Sequence, residues 1–219
     1  KVDGVGGFFQ LRNYDGTISL SSRYFREIYN DHNWTLAARI KPFNYPYSGI
    51  ENSPEEPTYK LEFYGAHHRG DTLVDSFSVT QDLNYETGSA YLCERKRIYA
   101  GAHWTNYTGS ILTRSDVAIG TCRLYLDYLE DDVINQHNKD IKNHGSNKTF
   151  EGSSLVNGDG ENKKYSSADL LLLNWDFETV TGSDSSGNFI VEDVSSGSTN
   201  TTFGYLNNII KTENRGKGH

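Results

Sequence analysis

Methionine is absent from this chain, and its 219 residues include only two cysteines and four prolines. Two thiols cannot build a disulfide-dense scaffold, and neither Cys93 nor Cys122 has the nearby second cysteine that a thiolate metal site uses. Both read as buried, reduced residues rather than as a Cys93–Cys122 bridge. Basic charge is scarce too: 21 Lys and Arg stand against 29 Asp and Glu, giving a formal net charge of −8. A nucleic-acid surface needs clustered cations to displace phosphate counterions, and the one basic cluster, Arg95-Lys96-Arg97, is short and reads as a solvated strand start. No nucleic-acid partner is expected. Apolar runs of membrane-spanning length are also missing, since Leu170 to Leu173 is far too brief, so no membrane partner is expected. Gly-x-Ser-x-Gly, P-loop and His-Glu-x-x-His patterns do not occur.

What is present favours strands. Fifteen Tyr, ten Phe and 21 Gly suit pleated, half-buried segments joined by glycine turns, and 35% hydrophobic residues suffice for a core. From Thr17 onward the dominant period is two: Ile18 and Leu20, then Leu36, Ala38 and Ile40, then Tyr59, Leu61 and Phe63, each set on one face. Phe77 and Val79 continue it, followed by Ile98, Ala100 and Ala102, then Cys122, Leu124, Leu126 and Tyr128. Strands return at Leu170 to Phe177 and Phe189 to Val194. One short helix is expected, capped by Asp131 or Asp132, with Val133, Ile134, His137 and Ile141 on one face and Gly145 as its stop. The expected fold class is all-β, two antiparallel sheets packed as a sandwich with one short helix; a closed barrel stays open as an alternative.

Residues 1–145 read as the main part of that sandwich. Residues 146–168 are polar, rich in Gly, Ser and Asn, and read as a loop or linker. Residues 169–219 read as the opening strands of the same, permuted, module or of a next tandem one. Gly4 and Gly6 near the start match Gly216 and Gly218 near the end. With Lys1 first and no methionine, this pattern leads us to expect a segment of a longer polypeptide that starts and stops at equivalent points of a repeated module. Sequons at Asn33, Asn106, Asn147 and Asn200 do not establish secretion in a chain so rich in Asn and Thr.

The stretch "LLLNWDFETVTGSDSSGNF" resembles the start of laminin-G-like, concanavalin A-like jelly-roll modules, through Trp175, Phe177, Gly182, Asp184, Ser186, Gly187 and Asn188. Gly216-Lys217-Gly218, "YDGTISL" and "WTLAARIKPF" resemble later parts of such a module, in rotated order. "EFYG", "DSFSVT", "RIYAGAHWTNYTGS" and "RLYLDYL" look like the laminin-G-like domains of very large structural proteins of tailed bacteriophages. The resemblance implies a jelly-roll display or assembly module on a virion, an extracellular particle. Its partners would be other virion proteins, neighbouring modules of its own chain and host cell-surface glycans.

Three chemistries remain to be weighed. Some folds of this kind hydrolyse glycans with alternating carboxylates on one strand, but the nearest approach, Glu130-Asp131-Asp132 with Asn135 in the last place, lies at a helix start where acids complement the dipole. No catalytic residue is assigned, and no enzyme activity is expected. Calcium would suit Asp184 in "GSDSSGN" or Asp159 in "NGDGEN", although an Asx turn at Asp184 is the preferred reading, so the expected cofactor is none, or calcium. A shallow sugar site could use Trp104 and Tyr107 as stacking faces, with His103, Asn106 and Thr108 as hydrogen-bonding groups; against it, Trp104 continues the alternation of a strand. His67-His68 and His137 show no metal-ligand spacing, and His137 reads as a packing residue. The expected function is a non-enzymatic virion display module. A secreted calcium-dependent lectin module is the alternative, and a glycoside hydrolase the third reading.

Overall fold

Alternating apolar residues from Tyr59 onward build a hydrophobic core with Ile18, Leu20, Phe25, Phe77 and Leu83. The computed structural model describes residues 6–13, 16–26, 28, 33–43, 58–93, 102–104, 111–114, 118–126, 128–143, 153–156, 162–165, 171–183, 188–193 and 214–217. The protein is mostly β-strand in antiparallel sheets with few helices, an all-β fold. It divides into two compact units. One comprises Lys1–Arg95 and Tyr128–Asn143, the other Lys96–Asp127 and His144–His219.

The first unit contains β1 (Gln10–Arg12), β2 (Ser19–Ser21), β3 (Trp34–Pro42), β4 (Tyr59–Arg69), β5 (Thr72–Leu83), α1 (Tyr85–Cys93) and α2 (Asp131–Lys139). β3, β4 and β5 form an antiparallel sheet with β4 in the middle. β4 and β5 are joined across Gly70 and Asp71, where Gly70 takes a φ of 59, a left-handed value that a side chain disfavours. Tyr59, Leu61 and Phe63 share one face of β4, and they pack with Phe77 and Leu83 of β5 and with Ile18, Leu20 and Phe25. An aromatic group closes this layer: the Trp34 ring lies 4.9 Å from Phe9 and 4.8 Å from Phe25, and Phe63 meets Phe77 edge-on at 5.1 Å.

The opposite face of β4 is buried as well. Glu62, Tyr64 and Ala66 lie there, and α2 covers them: Tyr64 Oη donates to Asn135 Oδ1 at 2.9 Å, and Asn138 Nδ2 donates to Ala66 O at 2.9 Å. Val133, Ile134 and His137 form the buried face of α2, as their spacing predicts. Ile141 does not join them. The helix ends at Lys139 with Asp140 as its C-cap, well before Gly145, because the Asp140 carboxylate turns to accept the Lys142 N–H at 2.9 Å. The N-cap is Glu130, which makes no side-chain cap bond, rather than Asp131 or Asp132.

Three further expectations change. In β3 the alternation points to Leu36 and Ala38 as buried, yet Leu36 is 47% exposed while Arg39 is only 8% exposed. Among the described residues β3 is an outer strand of this sheet, and the β1–β2 hairpin lies toward the other outer strand, β5, where Gln81 Nε2 donates to Thr17 O at 3.1 Å. α1 is a second helix where only one was expected. Asn84 starts it, its Oδ1 accepting the Thr87 N–H at 2.8 Å, an Asn-x-x-Thr cap visible in the sequence beforehand. Cys93, at the end of α1, is exposed, whereas Cys122 is half-buried; both thiols are free.

The second unit contains β6 (Ala102–Trp104), β7 (Ile111–Arg114), β8 (Thr121–Tyr125), β9 (Ser153–Val156), β10 (Asn162–Tyr165), β11 (Leu171–Ser183), β12 (Asn188–Asp193) and β13 (Asn214–Lys217). Four of them form one antiparallel sheet in the order β13-β12-β11-β8. Leu171, Asn174 and Trp175 of β11 are buried, and Arg123 Nε donates to Asn174 Oδ1 at 3.0 Å. Burial pushes the Tyr125 hydroxyl up to about 12, outweighing the nearby Arg123. The polar segment 146–168 carries the β9–β10 hairpin, whose strands are separated in sequence by Asn-Gly-Asp-Gly-Glu, turn-forming residues. No helix among the described residues is long and apolar enough to cross a membrane.

Candidate functional site

The densest chemistry among the described residues lies beneath α2. Arg39 and Lys41 stand two apart on β3, so they share a face, and the register sets Arg39 opposite Glu62 of β4. Arg39 Nη2 lies 3.3 Å from Glu62 Oε2 and 2.6 Å from Asp131 Oδ1 in the first turn of α2. Its Nη1 donates to Leu129 O at 2.7 Å, while its Nε, also buried, has no acceptor among the described residues. Lys41 Nζ lies 3.4 Å from Glu62 Oε1 and donates to Tyr128 Oη at 3.1 Å; Tyr128 Oη in turn donates to Glu62 Oε2. The guanidinium carbon of Arg39 sits 5.2 Å from the Tyr64 ring and 4.9 Å from the Tyr128 ring, a stacked arrangement that suits its weakly hydrated plane.

Electrostatics follow from that geometry. Burial alone would raise the Glu62 carboxyl, but the Tyr128 hydroxyl and the Lys41 and Arg39 cations outweigh it and hold the group below its usual 4.5. Tyr128 moves the opposite way: burial, then the bond to Glu62, pushes its hydroxyl well up. Two cations thus face two carboxylates, and Glu62 has both oxygens engaged. A glycosidase pair needs two carboxyl groups set apart across a sugar bond, one of them with raised proton affinity. Glu62 and Asp131 instead meet on one guanidinium, an arrangement suited to fastening α2 to the sheet.

At the other end of α2, Asn138 Nδ2 lies 2.9 Å from His68 Nδ1. His67, on the opposite face, uses Nδ1 to donate to Asn33 O at 2.9 Å and packs its ring 5.6 Å from Trp34. His137 is buried in the α2 seam, a packing residue as expected. A polar hollow of about 290 Å³ opens beside the start of α1, lined in part by Thr17, Gln81, Asp82, Asn84 and Thr87. Gln81 and Asn84 there already hydrogen-bond to Thr17 and Thr87.

Of the sugar-site candidates, His103 and Trp104 lie on β6, opposite Thr113 and Ile111 of β7, with a register irregularity between them. Asn106, Tyr107 and Thr108 lie outside the described residues, as do both calcium candidates, Asp159 and Asp184, and the Arg95-Lys96-Arg97 cluster. Among the described residues, no group of three or more His, Cys, Asp or Glu is placed to hold a metal ion. The buried cluster was not anticipated. Its signal lay in Arg39, Lys41 and Glu62, charged residues alternating with apolar ones in two strands that pair. Comparison of the chain with protein-family models, with curated proteins and with solved structures returns no match.

Proposed function

We propose that the chain is a non-enzymatic display and assembly module of a large phage structural protein, a laminin-G-like jelly-roll sandwich. Through it the virion would contact neighbouring modules, other virion proteins or glycans on the host surface. The observation that carries this reading is the sheet β13-β12-β11-β8. It brings the two phrases that resemble a laminin-G-like module into one antiparallel structure: β11 carries Trp175 and Phe177, and β12 pairs Phe189 with Gly216 of β13. The buried ion network supports it further, because an element fastened by compensated charges suits a rigid scaffold more than a reactive cleft. The test is to decorate intact phage particles with an antibody raised against this chain and, in parallel, to incubate the chain with host surface polysaccharide. Labelled particles and retained polysaccharide with no new reducing ends are expected. Release of reducing ends would overturn the reading in favour of a hydrolase, and retention abolished by a calcium chelator would favour the lectin module.

A further inference from the structure

The C-terminal half of α2 is held by a contact that only one protonation state of a histidine can make. Asn138 Nδ2 lies 2.9 Å from Ala66 O and 2.9 Å from His68 Nδ1. A carbonyl oxygen only accepts, so the amide nitrogen, not the amide oxygen, must face Ala66. The same nitrogen then offers its second hydrogen to His68, which must accept it on an unprotonated Nδ1. A doubly protonated imidazolium has no acceptor. From this geometry we infer that α2 is an acid-released clasp: when His68 takes a proton, the C-terminal half of the helix leaves the face formed by β3 and β4.

The surroundings of His68 favour release over compensation. On α2 the neighbouring cation is Lys139, and His137 lies buried in the same seam. Asp140, the C-cap, has its carboxylate engaged with the Lys142 N–H. On its own strand His68 has His67 and Arg69 as neighbours, and its register partner on β5 is the apolar Leu73. The acid of β5 closest in register, Asp75, stands opposite His67 and is paired with Arg23. No carboxylate in this set is placed to stabilise a charged imidazole. Burial, then Lys139 and His67, accordingly hold the His68 imidazole below its usual 6.5. Because the docked helix depresses proton affinity, docking is strongest above 6.5 and weakens as pH falls through and below that value. Glu62, at the other end, does not titrate first, since it is held below 4.5.

Hydrogen exchange on the full chain tests the clasp, with protection corrected for the intrinsic pH dependence of exchange. Between about pH 7.5 and 5.5, amides of residues 134–139 should lose protection progressively, because the released helix leaves His68 free to bind a proton that the docked helix disfavours. Amides at the centre of the β4–β5 pairing should not change. His68→Asn places an amide oxygen near the position of Nδ1 and cannot titrate in this range, so it should keep the helix protected at the lower pH. His68→Lys should leave it open at both. Unchanged protection in the parent, or opening of His68→Asn in step with the parent, would overturn the inference. Should the variants not fold, the His68 ring nitrogens of the parent can be followed by NMR. Their titration must share a midpoint with the opening of α2, and separate midpoints would equally overturn the clasp.

Discussion

Arg39 shows how much one residue can carry: it is 8% exposed, and its guanidinium serves Glu62, Asp131 and the Leu129 carbonyl together. Removing it leaves Glu62 buried with Lys41 as its one remaining counter-charge among the described residues. Arg39→Ala should therefore cost about 3–5 kcal/mol in denaturant unfolding, the range for breaking a buried pair from one side. Replacing both partners with apolar residues, Arg39→Met with Glu62→Leu, should cost far less, because no ion is then stranded. The same group fixes a pH dependence. Since Glu62 titrates below its usual 4.5 in the folded protein, its contribution is complete above that value and is lost as pH falls through the depressed one. The part of the acid limb that Glu62 contributes to a stability-versus-pH curve should thus fall below 4.5, and Glu62→Gln should remove that part.

Among the elements, α1 offers a sign test. Alanine ordinarily stabilises a helix interior by about 1 kcal/mol over glycine. Gly88, in α1, is buried, and a methyl group added there would lie 2.2 Å from the Tyr59 ring, which is itself locked in the core cluster. Gly88→Ala should therefore lower the melting temperature, and Tyr59→Leu in the same chain should recover part of that loss; a rise in the single variant would show that the helix is not seated on Tyr59. β4 makes the same close approach at Gly65, whose added methyl would lie 2.2 Å from the Phe77 ring. Both glycines exist for packing, and neither conforms to a propensity scale.

The molecule as a whole is assembled out of chain order. The first unit takes Lys1–Arg95, then recovers Tyr128–Asn143 after the chain has contributed β6, β7 and β8 to the other unit. A chain ending after residue 95 would expose Glu62, Tyr64 and Ala66 and leave Arg39 without Asp131 and Leu129. It should lose cooperative thermal unfolding, monitored by circular dichroism, whereas a chain continued through residue 143 should show one cooperative transition assignable to this unit. Equal cooperativity in the two would mean that α2 is an ornament on a sheet already stable without it.

The sequence by itself determined the all-β class, most strand positions and the buried face of α2, because a period of two or of 3.6 is a local property of the chain. Tyr59, Leu61 and Phe63 were legible as one buried face, as were Val133, Ile134 and His137. It also carried the cap of α1 in Asn84 and Thr87, a signal present but unread. Only the tertiary structure decided that β4 is covered on both sides, that Leu36 faces solvent and that Arg39 does not. Local alternation assigns a charged residue to water by default, and the groups that overrule this for Arg39 come from far along the chain, Leu129 lying 90 residues away. Burial is settled by what arrives from elsewhere in the chain, and no window around Arg39 contains Leu129 or Asp131.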